Sequence, residues 1–453
     1  MKINAIILAA GRGTRMKSNL PKVIHKILDK PMIMHVIDNL RQAEVNNIIS
    51  VVGYQAELVK AVVKEESRFV LQNEQLGTGH AIMMCSEILK DKDGITIVIC
   101  GDTPLISSST IKELIDYHIR NDNHATILTG ELEDTLSYGK IIRDNDNNVV
   151  KIVEFKDAKE EYQNIKEFNT GTYIFNNKLL FNLIDMLDNN NSQKEYYLTD
   201  IIEIMANQKY KVDGCILKDL KETIGINDRA TLAYAQRVLS SRINRRLMDN
   251  GITIIDPRTT YIGPDVCIEI DTIIKPNTHI YGNTKIGEKC IIGPNVELNN
   301  SIVLNDTEIT NAHIDDCTIK SHVKVGPYAR LRQNCIIEDD VKIGNFVEMK
   351  KTIFGNRSKS AHLSYLGDAI IGEDVNIGCG TITVNYDGKR KHQTVIEDNV
   401  FIGCNANLIA PIKIESDAII AAGTTITNDV PKESLAIGRV RQEIKEDFGN
   451  KFK

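Results

Sequence analysis

An apolar residue at every sixth position is the feature of this sequence that least tolerates alternative folds. Ile262, Ile268, Ile274, Ile280, Ile286, Ile292 and Leu298 keep that spacing without a miss. The rhythm resumes at Ile319, Val325, Leu331, Ile337, Ile343 and Met349, and again at Ile396, Ile402, Leu408, Ile414, Ile420 and Ile426. Gly, Asn or Asp usually accompanies each apolar residue, which suits tight corners and positive φ. Neither a helix nor an ordinary sandwich gives such a period. It predicts a left-handed parallel β-helix of hexapeptide repeats, with strands stacked along an axis and isoleucines stacked inside. Three hexads per triangular coil give roughly nine coils, a prism on the order of 45 Å tall at about 4.8 Å per coil. The rhythm breaks near residues 350–370 and 384–395, and polar groups accumulate in those breaks.

Residues 1–228 follow a different grammar, of the α/β class. "INAIILA", "NIISVVG", "RFVLQ" and "ITIVIC" read as strands, with the helical stretches "MIMHVIDNLRQA", "QAELVKAVVKE" and "GHAIMMCSEILK" between them. That alternation predicts a Rossmann-like, mainly parallel sheet whose ligands bind beyond the carboxyl ends of the strands. Residues 229–249 read as one long linker helix, with Asp228 as N-cap and Gly251 closing it. Residues 250–453 form the β-helix domain with a C-terminal arm.

Net charge is −6, with cations interspersed among carboxylates, which argues against nucleic acid or an anionic membrane as the main partner. The apolar run "AIILAAG" is too short to span a membrane. The nine cysteines contain no C-x-x-C pair and read as small buried hydrophobes in a reducing compartment. The expected location is cytoplasmic.

"LAAGRGTRMKSNLPK" (Leu8 to Lys22) directly follows the first strand. Gly11 and Gly13 let the backbone bend tightly and aim N–H groups at phosphate oxygens. Arg15 and Lys22 add two cations that can neutralise a polyphosphate and stabilise a departing one. The stretch lacks G-K-[ST] and the third glycine of a dinucleotide fingerprint, so it is neither of those loops. Asp102, in "VICGDTPLI", stands just past a buried strand, as either a turn cap or a ligand for a hard cation. With the later "NEQLGTGHA", this string resembles the sugar-phosphate nucleotidyltransferases. The resemblance implies that Leu8, Ala9, Ala10, Gly11 and Lys22 line the nucleotide site and that Gln72, Gly77 and Thr78 hold uracil. It further implies that Asp102 and Asn227 bind Mg²⁺, and that Gly139, Glu154, Asn169 and Asn227 hold the nucleotide product. Many relatives have Tyr where Cys100 stands.

In the C-terminal half, Arg332, Lys350 and Lys351 precede "KSAHLSYLGDAIIG", which contains His362 and Tyr365. "IGCGTITVNYDGKRKHQ" follows with Asn376, Asn385 and Tyr386. A histidine flanked by small residues near several cations is a candidate general base, since imidazole titrates at about 6.5. Taken together and in order, the motifs resemble, over essentially the whole chain, a bacterial bifunctional family. Its members are N-acetylglucosamine-1-phosphate uridylyltransferases and glucosamine-1-phosphate acetyltransferases. That resemblance implies that Arg332, Lys350, Tyr365 and Asn376 bind glucosamine-1-phosphate, with Asn385 near the sugar. His362 would be the base, and the spacing of Glu348 would let it orient His362 from a neighbouring coil. Acetyl-CoA would lie along Cys379, Asn385, Tyr386, Cys404, Ala422 and Arg439. A homotrimer assembled through the β-helix is also implied. The alternatives are a single-activity nucleotidyltransferase with a structural or regulatory β-helix, and a non-catalytic sugar-nucleotide sensor.

Overall fold

The computed structural model describes residues 1–133, 138–162 and 164–452. The chain divides into two compact units, Met1–Leu239 and Ser240–Lys453.

The first unit is built on β1 (Ile3–Ala9), α1 (Met32–Gln42), β2 (Asn47–Val52), α2 (Ala56–Val63), β3 (Arg68–Leu71), α3 (Thr78–Met83) and β4 (Ile95–Cys100). It continues with α4 (Ser108–Arg120), β5 (Ala125–Glu131), β6 (Lys140–Arg143), β7 (Val149–Val153), β8 (Glu167–Asn176) and β9 (Val212–Ile216). The sheet runs β9-β5-β8-β4-β1-β2-β3, with β6 and β7 attached through β8. β1 is parallel to β2 and β4, and β3 to β2, whereas β8 is antiparallel to β4 and β5. Successive residues point to opposite faces. Ile7 and Ile97 enter one core with α1, while Ile6 and Val98 enter another with Ile82 and Phe175. Two covered faces explain the unbroken Ile/Val runs. The single helix expected over "GHAIMMCSEILK" is instead two short ones, Thr78–Met83 and Ser86–Leu89. They part where the Cys85 amide bonds the Ile82 carbonyl, three residues back, at 2.9 Å.

A helix, α5, runs over Arg229–Asp249, and Asp228 caps it by accepting from the Thr231 amide at 2.8 Å. The unit boundary falls inside it. In its second half, the buried Asn244 amide donates to the carbonyls of Pro257 and Thr260, each at 2.9 Å, tying that half into the β-helix unit.

The second unit is a parallel β-helix with nine strands stacked on one face. Inside, one file runs Ile274, Ile292, Ile309, Val325, Ile343, Ser360, Ile377 and Ile402. A second runs Leu298, Ile314, Leu331, Met349, Leu366, Thr383 and Leu408. The break expected near 350–370 is therefore one of residue type, not of fold. Lys342–Lys350 and Lys359–Gly367 are nine-residue strands paired from end to end. The inward sequence continues as Phe354, Ser360, Leu366, Ile371, Ile377 and Thr383, with two corners one residue shorter and two hydroxyls in place of isoleucine. In the second break the chain does leave the coil, in a hairpin closed by a bridge between Tyr386 and Lys391.

Candidate active sites

The loops after β1, β3 and β4 meet at the carboxyl edge of the sheet. A cavity of about 280 Å³ there is lined by Leu8, Ala9, Ala10, Gly11, Lys22, Gln72, Gly77, Thr78, Cys100 and Asp102, among others. A second cavity of about 250 Å³ shares Leu8, Thr78 and Cys100 with the first and adds Gly139, Glu154 and Asn169. Every residue expected at the nucleotide site except Gly13, Arg15 and Asn227 lines one of these two cavities. Asn227 is joined to the first through Lys22, whose ammonium donates to Asn227 Oδ1 at 3.0 Å and pairs with Asp102 Oδ2. Arg15 is exposed, with its charge felt at Asp228.

Local geometry explains these placements. Gly13 has φ +65°, and a Cβ on it would stand 2.6 Å from Lys22 Cβ, so the bare glycine lets the lysine stem cross the loop. The buried Gln72 donates from Nε2 to the Gly77 carbonyl at 3.1 Å and lies 3.1 Å from His80 Nδ1, which fixes its amide plane. Burial pushes the Glu154 carboxyl up, and Thr199 donates to its Oε1 at 3.1 Å. Burial likewise pushes the Cys100 thiol up to about 12, so it is a packing group rather than a nucleophile. Thr199 was not legible beforehand, since an ordinary threonine opening a helix carries no signal.

Asp102 Oδ2 and Asn227 Oδ1 arrive from separate segments and share one cation, the Lys22 ammonium. The same pair of hard oxygens suits a divalent ion. Among the described residues no cluster of three or more His, Cys, Asp or Glu could enclose a metal. One carboxylate oxygen and one amide oxygen fit Mg²⁺, which typically takes one or two carboxylates and completes its shell with phosphate and water.

In the β-helix, strand register sorts the expected residues into two groups. Arg332 pairs with Lys350, and Lys350 with Gly367. A Cβ on Gly367 would stand 2.5 Å from the Tyr365 hydroxyl and 2.8 Å from Asn385 Nδ2, so these two side chains converge over the glycine. Asn385 is buried and donates to Asp368 Oδ2 at 2.6 Å. Lys391, then Arg332, depresses the Lys350 ammonium below its ordinary value, which marks a corner of concentrated positive charge suited to a phosphate. Lys391 also approaches Asp368, at 3.7 Å. Sequence reasoning passed over it, although "GKRKH" is visibly basic. Tyr386 is exposed and donates to the Gly388 carbonyl at 2.7 Å; Asp387 braces its hairpin by accepting from the amides of Lys389 and Arg390 and bonding His392.

The other group stands at the preceding corner of the prism. The Asn405 amide bonds the Cys379 carbonyl at 2.7 Å, the Gly423 amide bonds the Cys404 carbonyl at 2.8 Å, and Arg439 donates to the Ala422 carbonyl at 2.6 Å. Cys379, Cys404, Ala422 and Arg439 thus form one file. His362 lies at the same corner, opposite Asn345, exposed, and among the described residues its imidazole has no hydrogen-bond partner. Asn376 pairs with Lys359 on the face before that corner, apart from Arg332 and Lys350. Within one chain, then, the expected acetyl-transfer residues do not form a single cluster. The expected pairing of Glu348 with His362 is not met: Glu348 stands opposite Tyr365 and accepts from Arg332 at 2.9 Å. The cysteines are all free, but Cys267 and Cys404 are exposed rather than buried.

Residues 4–223 match the "Nucleotidyl transferase" family model, 261–353 the "GMPPB C-terminal domain" and 393–428 the "Bacterial transferase hexapeptide (six repeats)". "Bifunctional protein GlmU" of Geobacillus sp. (strain WCH70) is 51% identical, covering 99% of this chain and 98% of that protein. The same-named proteins of Exiguobacterium sibiricum and Clostridioides difficile (strain 630) are 50% and 49% identical, over 98% and 100% of this chain and 99% and 98% of theirs. The chain belongs to the bifunctional GlmU family. It is an enzyme that combines uridylyltransferase and acetyltransferase activities. The nucleotidyl transferase match falls on the first unit, and the GMPPB C-terminal domain and hexapeptide matches on the second. That pairing removes the single-activity and sensor alternatives. Among the described residues, no helix is long and apolar enough to cross a membrane.

Proposed function

We propose that the β-helix unit acetylates glucosamine-1-phosphate from acetyl-CoA, and that the N-terminal unit joins the product to UMP from UTP, giving UDP-N-acetylglucosamine and pyrophosphate in the cytoplasm. The observation that carries the second step is the convergence of Lys22, Asp102 and Asn227 at the mouth of a cavity lined by the Leu8–Gly11 loop, Gln72, Gly77 and Thr78. Gln72 presents its amide to uracil with Gly77 holding it through its carbonyl, and Glu154 and Asn169 face the sugar and ribose. A phosphate oxygen of the sugar attacks the α-phosphorus in line while the bond to pyrophosphate breaks, and Lys22 and Arg15 offset the charge that departs. Asp102 and Asn227 would hold Mg²⁺, which would supply further neutralisation of the triphosphate when bound.

For acetyl transfer, Arg332, Lys350, Tyr365 and Lys391 hold the sugar phosphate. His362 takes the proton from the 2-amine as it attacks the thioester carbonyl, and CoA leaves as the thiol. CoA lies along Cys379, Asn385, Tyr386, Cys404, Ala422 and Arg439, with Asn376 at the sugar. The division of these residues between two corners of one prism supports a homotrimer, in which one copy's phosphate corner meets its neighbour's CoA file. A coupled assay with glucosamine-1-phosphate, acetyl-CoA and UTP tests the reading. It predicts UDP-N-acetylglucosamine with Mg²⁺ and accumulation of N-acetylglucosamine-1-phosphate without it. Loss of both steps on omitting Mg²⁺ contradicts it.

A further inference from the structure

The Lys22 ammonium stands at the point where the two oxygen donors of the nucleotide site meet. It is paired with Asp102 Oδ2 and bonded to Asn227 Oδ1, and the side chains of Lys22 and Asp102 are only 17% and 16% exposed. Its stem reaches that point across Gly13, where any Cβ would collide with it. A divalent ion approaching Asp102 and Asn227 in the nucleotide-free protein therefore meets a site whose single carboxylate is already neutralised and whose centre is filled.

We propose that Lys22 is a resident counter-cation of the metal seat, and that only a nucleotide draws it away. This rests on reading Asp102 and Asn227 as metal ligands. Lys22 lines the same cavity as Gly11. A triphosphate seated there offers the ammonium an exchange of one charge-assisted pair for another, and that exchange frees the Asp102 carboxylate. The same triphosphate brings the additional oxygens a hard ion requires. Metal and nucleotide then bind with positive coupling, which is necessarily reciprocal. The ammonium also keeps Asp102 from standing as an uncompensated, largely buried charge when the site is empty.

The test is Mn²⁺ binding to the full chain without nucleotide, read from the electron paramagnetic resonance signal of free Mn²⁺. Lys22→Met keeps the stem and removes the charge, and it is expected to bind Mn²⁺ at least about tenfold more tightly than the wild type. Lys22→Arg keeps a cation and is expected to bind as weakly as the wild type. Adding Asp102→Asn to Lys22→Met is expected to abolish the gain. Unchanged or weaker binding by Lys22→Met overturns the proposal, as does tight binding by Lys22→Arg. If Asp102→Asn lowers Mn²⁺ binding in both backgrounds while Lys22→Met matches the wild type, the counter-cation role alone fails. If the gain survives Asp102→Asn, the assignment of Asp102 as a ligand fails with it.

Discussion

Replacing Gly77 with alanine should damage the nucleotide unit more than any other single methyl group added at its mouth. Gly77 has φ +115° and ψ 175°, a region closed to side-chain-bearing residues. A Cβ would stand 2.5 Å from the Tyr196 carbonyl oxygen and 2.8 Å from the Tyr196 nitrogen. Neither atom is free to yield. The Tyr196 carbonyl accepts from the Gly79 amide and its amide donates to the Leu76 carbonyl, both at 2.8 Å. Backbone strain costs about 1–3 kcal/mol, and loosening one of those bonds about 1 kcal/mol more. The expected loss is about 2–4 kcal/mol, together with a raised KM for UTP because the Gly77 carbonyl also holds Gln72. Gly13→Ala is the control. Its Cβ would stand 2.6 Å from Lys22 Cβ but meets no hydrogen-bonded backbone atom, at a φ of +65° that costs about 1–2 kcal/mol. It should lose less stability yet cripple UTP turnover by displacing the ammonium. Urea unfolding followed by helical circular dichroism, with parallel UTP kinetics, measures both. A Gly77→Ala protein within about 0.5 kcal/mol of the wild type, or one more stable than Gly13→Ala, refutes the reasoning.

Burial, then His124, depresses the buried His118 to about 4, where its Nδ1 lies 2.8 Å from Thr126 Oγ1. The unfolded imidazole titrates at about 6.5, so across that interval the unfolded state binds more protons and stability is lost as pH falls. The N-terminal unit should lose up to roughly 3 kcal/mol on acidification to about pH 4, and His118→Gln should flatten that slope in pH-dependent urea melts. Lys391→Ala should raise the KM for glucosamine-1-phosphate with little change in that for acetyl-CoA, in steady-state acetyl-transfer kinetics. Cys379→Ser with Cys404→Ser should retain acetyl transfer, because the amine attacks the thioester directly and needs no covalent intermediate; a dead double variant would argue for one.

The repeats were legible because each inward position must be apolar, and each corner tolerates few residues. Ser360 and Thr383 broke the count without breaking the coil: Thr383 holds its inward place by donating to the Gly367 carbonyl at 3.1 Å, whereas the buried Ser360 hydroxyl has no hydrogen-bond partner among the described residues. Lys22, Asp102 and Asn227, far apart in sequence, were placed by motif resemblance, and the sheet brings them together because β1 and β4 are neighbours. Pairings between coils were less accessible. Glu348 was matched to His362 by spacing, whereas register sets it against Tyr365 and Arg332 claims its carboxylate. Lys391 was missed because its partner, Lys350, lies 41 residues away in sequence and is brought close only by the coil.

The central claim is that two chemistries reside on separate units of one chain, and two substitutions assayed side by side test it most directly. His362→Ala should abolish acetyl transfer and leave uridylyl transfer near the wild-type rate, and Asp102→Ala should do the reverse. If the two activities fall together in either variant, or if acetyl transfer survives the loss of His362, the division of labour is contradicted.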